Sequence, residues 1–192
     1  MSTPTPAPTP EEPEVATILV RAESVTLQTE EGIELASFDY FAASTPPIVD
    51  ALNEAFGVEA EGEKIDGGVH PSWLEYDWDG FVVRTYDATG QYPDVTSFSV
   101  YTLTAESHGI DIETIGGLQV GSTAKDAAAG SFVNRVDTGG TQDVHFYSVD
   151  KVDVELDYDP GYDDTFLSVS LWGGTPKKPI YRVQAPSANF GA

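Results

Sequence analysis

Apolar residues first gather beyond residue 14. Ile18-Leu19-Val20 and Val25-Thr26-Leu27 read as one long strand or two short ones, with Glu31-Gly32 turning the chain into the next segment. From Ile48 the period changes to that of a helix. Ile48, Leu52, Ala55 and Phe56 form one stripe, Thr45 offers an N-cap oxygen, Pro46 sits where a missing N–H costs nothing, and Gly57 ends the run. An apolar stripe of this kind is core. A polar loop from Val58 to Pro71 then leads to the clearest hairpin in the chain. Trp73–Trp78 and Phe81–Tyr86 flank Asp79-Gly80, a type I′ turn dipeptide. A two-residue turn fixes register, so Trp78 faces Phe81, Tyr76 faces Val83, Glu75 faces Arg84 and Trp73 faces Tyr86. One face then carries Leu74, Tyr76, Trp78, Phe81, Val83 and Thr85. The other carries Trp73, Glu75, Asp77, Val82, Arg84 and Tyr86. A third strand, Thr96 to Leu103, follows a Gly/Pro loop.

The second half repeats this order. Gly109-Ile110-Asp111-Ile112 echoes Gly32-Ile33-Glu34-Leu35, and Ser122-Thr123 echoes Ser44-Thr45 ahead of a helix. Thr123 is its expected cap, with Asp126 three residues on, and Gly130 its end. Val144–Val149 and Val152–Tyr158 then flank Asp150-Lys151, which stands where Asp79-Gly80 stood. Tyr158-Asp159 matches Tyr86-Asp87, and Thr165–Val169 matches Thr96–Val100. The same register sends His145, Tyr147, Val149, Val152, Val154 and Leu156 inward. The internal repeat predicts an α+β fold of two tandem β-α-β-β-β modules, an antiparallel sheet with short helices on one face. Module one is residues 15–107 and module two 108–192, behind a stalk at residues 1–14.

Charge narrows the functions such a fold can serve. The 192 residues include 32 acids against nine Lys and Arg, a formal net charge of −23. Nine scattered cations cannot line a phosphate backbone, so nucleic acid is excluded as a partner, and adhesion to an anionic membrane surface is disfavoured. Cations and basic protein surfaces are favoured. Cysteine is absent, which removes disulfides and thiolate metal sites. No run approaches the ~20 apolar residues of a spanning helix. The stalk, Thr3-Pro4-Thr5-Pro6-Ala7-Pro8-Thr9-Pro10, has proline at alternate positions and favours extended polyproline II. It resembles the tether that follows the lipidated cysteine of bacterial surface lipoproteins. On that reading the protein is extracytoplasmic, and its membrane contact is a lipid anchor on a removed N-terminal segment. A disordered tail of a cytosolic protein is the plainer alternative.

The turn and cap Leu118-Gln119-Val120-Gly121-Ser122-Thr123, with a meander after each helix, resembles the beta-lactamase-inhibitory-protein-like fold. Secreted and lipid-anchored proteins of Gram-positive bacteria carry such tandem modules. The resemblance implies helices packed on one face of a long sheet whose other face binds protein partners. The disulfides of those inhibitors are missing here, and no inhibitory loop matches, so lactamase inhibition is not carried over.

Candidate chemical sites are few. Gly116-Gly117 to Gly121-Ser122 precedes a helix but lacks the Gly-Lys-Ser/Thr ending of a phosphate loop, and reads as a structural turn. His70, His108 and His145 form a metal centre only if they converge, for which nothing in the sequence speaks. Asp157, Asp159, Asp163 and Asp164 surround a Pro-Gly turn. They offer an oxygen-rich loop for Ca²⁺, the one cofactor candidate, although an EF-hand would need an acid where Gly161 stands and a later Glu. Otherwise they form a solvated hairpin tip. Glu75 with Asp77, and Asp153 with Glu155, pair carboxylates as glycosidases do, yet any strand with one wet face produces such pairs. No nucleophile-and-base arrangement is apparent.

The expected function is therefore non-catalytic: an extracytoplasmic binding protein with a protein partner of basic character. Its expected site is the outer sheet face, with Trp73, Glu75, Tyr86 and Tyr101 in module one and Phe146, Glu155 and Trp172 in module two. Phe166 is expected beside them. A merely wet face does not collect large aromatics at alternate positions, whereas each ring gives a partner large contact area at small entropic cost. The competing explanation is that the second module, the N-terminal strands or a loop covers this face and makes the rings ordinary core.

Overall fold

A computed structural model describes residues 13–42, 47–68, 72–86, 96–123, 125, 132–137, 144–154, 165–174 and 178–189. Three strands open the chain: β1 (Thr17–Val20), β2 (Ser24–Gln28) and β3 (Glu34–Asp39). α1 (Ile48–Phe56) follows, then β4 (Glu63–Ile65), β5 (Trp73–Trp78), β6 (Phe81–Tyr86) and β7 (Phe98–Thr102). The short β8 (Glu106–Ser107) and β9 (Ile110–Thr114) form a hairpin, and β10 (Phe132–Asp137), β11 (Val144–Asp153), β12 (Phe166–Gly173) and β13 (Ile180–Asn189) complete the order.

The described residues are mostly β, arranged in two sheets with one short helix. One sheet has five strands in the order β3-β2-β1-β9-β8, and the other has eight in the order β10-β11-β12-β13-β7-β6-β5-β4. β9 joins β1 in parallel, with Ile18 opposite Ile112. The eight-stranded sheet is two meanders, β4–β7 and β10–β13, joined where β13 pairs with β7.

A single core lies between the sheets. Ile18, Val25 and Phe38 from the first sheet, and Ile48, Leu52 and Phe56 from α1, pack with Phe81, Val83, Val100, Leu171 and Val183 of the second. The helix has the expected apolar stripe, and Gly57 ends it in the left-handed region at φ 65°. Its expected cap, Thr45, lies outside the described residues. Phe56 meets Trp78 and Phe81 at centroid distances of 5.7 and 6.1 Å. The inner face of the large sheet is thus covered by the N-terminal strands, β9 and α1. A sheet with helices alone on one face was expected, so the second sheet is a correction. The parallel β1–β9 pairing that builds it joins segments some ninety residues apart and leaves no local trace in the sequence.

The first hairpin has the expected register at every position, from Trp78 opposite Phe81 to Trp73 opposite Tyr86. Asp79 and Gly80 both take positive φ, 47° and 97°, as a type I′ turn requires. The second hairpin does not exist. Val144–Val149 and Val152-Asp153 belong to one strand, β11, which pairs with β12 on both sides of Asp150-Lys151. Asp150 takes φ 53°, but Lys151 has no such preference, so the pair makes a bulge instead of a reversal. The Asp150 carboxylate accepts the Ala22 N–H at 2.8 Å and ties the bulge to the β1–β2 turn. Thr123, expected to cap a second helix, bridges to Pro179. The body of that expected helix lies outside the described residues.

Candidate functional site: the outer face of the large sheet

Strand alternation sends Phe81, Val83, Val100 and Val183 to the core, so their neighbours in sequence face the other way. Registers across the sheet then align the outward positions. Glu75 faces Arg84, which faces Ser99; Tyr101 faces Gln184, which faces Ser170; Arg182 faces Trp172, which faces Phe146. Large side chains from six adjacent strands form a diagonal row, running from β5 through β6, β7, β13 and β12 to β11.

The row alternates rings and guanidinium groups. The Arg84 guanidinium carbon lies 5.4 Å from the Trp73 ring centroid and 4.6 Å from that of Tyr101. Arg182 lies 4.2 Å from Tyr101 on one side and 4.7 Å from Trp172 on the other. Trp172 meets Phe146 edge-on, with centroids 4.5 Å apart. Each guanidinium therefore has a ring against it on two sides, where the negative π face attracts the cation. All six side chains are half-buried. Their ring contacts and hydrogen bonds run within the face itself.

Glu75 anchors one end. Its Oε2 accepts from Arg84 Nε at 2.7 Å and from Trp73 Nε1 at 3.3 Å, and its Oε1 accepts from Tyr101 OH at 3.0 Å. Burial alone would raise this carboxyl. The hydrogen bonds from Arg84, Tyr101 and Trp73, with the Arg84 charge, outweigh burial and hold it below the ordinary glutamate range. Burial would likewise lower Arg84, but Glu75 more than restores it. Arg182 stands differently. Burial and then repulsion from Arg84 hold its guanidinium below the usual value, and among the described residues no carboxylate pairs with it. Arg182 Nε and Trp172 Nε1 are both buried without a hydrogen-bond partner.

The expected residues fall as follows. Trp73, Glu75, Tyr101, Phe146 and Trp172 come together in the row. Tyr86 is on the same face, its hydroxyl 3.0 Å from Ser99 Oγ. Phe166 is buried, with the Lys151 ammonium 4.4 Å from its ring, so it is not an exposed binding residue. Glu155 and the four acids of the calcium candidate, Asp157, Asp159, Asp163 and Asp164, lie outside the described residues. Among the described residues no group of three or more His, Asp and Glu stands close enough to hold a metal ion. The N-terminal strands pack on the opposite face and do not cover the aromatics. Arg182 was missed because β13 was not read as a strand. Its signal was the alternation of Arg182 and Gln184 with the apolar Val183 and Ala185, cut short by Pro186, a residue that argues against a strand interior.

A cavity of about 750 Å³ opens at the β5–β6 end of the sheet. Val49 of α1, Lys64, Leu74 and Tyr76 line it together with Trp73 and Tyr86, so the row ends at a recess. Compared with protein-family models, curated proteins and solved structures, the chain has no significant match in any of the three.

Proposed function

We propose that this chain is a non-catalytic binding protein that docks a protein partner on the outer face of its eight-stranded sheet. The observation that carries this reading is the row Trp73–Arg84–Tyr101–Arg182–Trp172–Phe146, half-exposed and internally braced. Tryptophan, tyrosine and arginine dominate the energetics of protein interfaces. Side chains already fixed by cation–π contacts and by Glu75 lose little freedom on docking, so more of their contact energy appears as affinity.

Two tandem modules are part of the proposal. The support is the order of the large sheet, in which β4–β7 and β10–β13 extend in opposite directions from the β7–β13 contact. In the beta-lactamase-inhibitory-protein-like fold that the chain resembles, such a sheet keeps one face for a protein. The extracytoplasmic, lipid-anchored setting rests on the Thr-Pro spacing of residues 3–10 alone. A net charge of −23 favours a partner with a basic rim and faster association at low salt.

The test is capture from a cell-envelope extract on the immobilised chain. Trp73→Ala and Trp172→Ala should each abolish capture while the chain stays folded by thermal melt. Leu35→Ala, at an exposed position of the five-stranded sheet, should not. Capture that survives both tryptophan changes would overturn the reading.

A further inference from the structure

We infer that the Arg182–Trp172 end of the row is a carboxylate site, built to take an aspartate or glutamate side chain of the docked protein. This rests on the docking face proposed above and names the chemistry at its centre. The chain contains its own template. At the β5–β6 end a carboxylate accepts from a tryptophan Nε1 and an arginine Nε, those of Trp73 and Arg84. At the β12–β13 end the same two donor types, Trp172 Nε1 and Arg182 Nε, are buried without an acceptor. An N–H held off water with nothing to bind is unfavourable, and a guanidinium doubly so because its charge is also desolvated.

Geometry restricts what can answer them. The Tyr101 and Trp172 rings lie against the Arg182 guanidinium, so what Arg182 offers a ligand is its N–H groups. An arginine edge beside an indole N–H suits a planar acceptor with two oxygens. Two residues along the face from Trp73 stands Glu75; two along from Trp172 stands Ser170. Ser170 and Ser148, opposite one another, are small and buried, so at that position the described chain supplies no carboxylate of its own. Charge agrees. Glu75 neutralises Arg84, whereas among the described residues no carboxylate forms an ion pair with Arg182, so the row is locally cationic within a strongly acidic chain. A phosphate dianion would meet the repulsion of that chain more strongly than a carboxylate does. The occupant is a protein side chain and not a free acid because the site continues into the rings of Tyr101, Trp172 and Phe146, more surface than a small acid covers.

The experiment is an NMR titration of the isotope-labelled full chain with N-acetylglutamate amide, against N-acetylglutamine amide at matched ionic strength. The Trp172 Nε1–H and Arg182 Nε–H signals should shift together and saturably with the glutamate probe only. The Trp73 Nε1–H signal, already held by Glu75, should stay in place. Arg182→Gln should weaken the response at least tenfold. Gln184→Glu, an isosteric change two residues from Arg182 on the same face, should supply an internal carboxylate, raise the melting temperature and compete with the probe. Equal shifts with both probes, or a response unchanged in both variants, would overturn the inference. A display library of random peptides tests the source. Selection of acidic peptides by the wild type, lost with Arg182→Gln, supports a protein carboxylate. Probe binding without any acidic peptide selected means a small-molecule acid and overturns that assignment. If peptides dock through Trp73 and Trp172 without an acid, the docking face stands and this site falls. If acidic peptides still bind with both tryptophans changed, the docking face itself falls.

Discussion

Among the described residues Glu75 is the one anion in the row's contacts, and Glu75→Gln tests whether the row is a coupled unit or a coincidence of neighbours. The change keeps the volume, removes the charge and disturbs three hydrogen bonds, from Arg84 Nε, Tyr101 OH and Trp73 Nε1. Hydrogen bonds to charged groups contribute about 1.5–3 kcal/mol each and neutral ones about 0.5–1.5. These do not add. Glutamine keeps one oxygen for Arg84, the three share an acceptor, and the 23% exposure of Glu75 lets water screen the pair. A loss of about 2 kcal/mol is the result, and about 4–8 °C in melting temperature for a chain of this size. A double-mutant cycle with Arg84→Gln should return a coupling of about 1–2 kcal/mol. The pH dependence fixes the sign. The Glu75 carboxyl lies below its ordinary value of 4.5 in the folded chain. Its contribution is therefore complete above 4.5 and is lost as pH falls through the lower, folded value. Urea denaturation at pH 7 and at steps down to pH 3 should show the wild type and Glu75→Gln converging in acid. Equal stability at pH 7, or a gap that persists undiminished at pH 3, would refute the coupled row.

Three further outcomes are expected. Phe56→Ala removes a buried ring from between Trp78 and Phe81 and should cost about 3–5 kcal/mol by denaturant titration. Gly80→Ala forces a side chain into φ 97° with its Cβ 3.0 Å from Thr104 Cγ2; the loss should exceed about 1 kcal/mol and lower the melting temperature. Deleting residues 1–14 should leave the melting temperature within error, since Pro13 and Glu14 are exposed and the Thr-Pro repeat carries no large apolar residue besides Met1.

What could be read in advance follows from where each signal is stored. The β5–β6 hairpin stores its register in two residues, because Asp79 and Gly80 can both adopt positive φ and few other pairs can. The stripe of α1 is likewise local. Asp150-Lys151 looked like the same kind of signal and was not, since only Asp150 takes positive φ and the strand runs on through a bulge. The five-stranded sheet depends on β1 meeting β9 in parallel, a pairing that no turn announces. The row inherits both cases. It takes one residue from each of six strands, so it has no motif longer than a single side chain. Sequence could carry it only as far as a turn fixed the register, which brought Trp73, Glu75 and Arg84 together; Tyr101, beyond a Gly/Pro loop, joins them only if its strand points Phe98, Val100 and Thr102 inward. Beyond β7 the neighbour is β13, the last strand in sequence, so Arg182 is adjacent to Tyr101 only once the two meanders have met. The residue that makes the row cationic is thus the one furthest from any local signal. An acidic composition pointed to a basic partner, while the centre of the face is arranged around an arginine that, among the described residues, has no carboxylate paired with it. Long-range charge and the local donor set select for different things: the first for which surfaces approach, the second for which side chain stays.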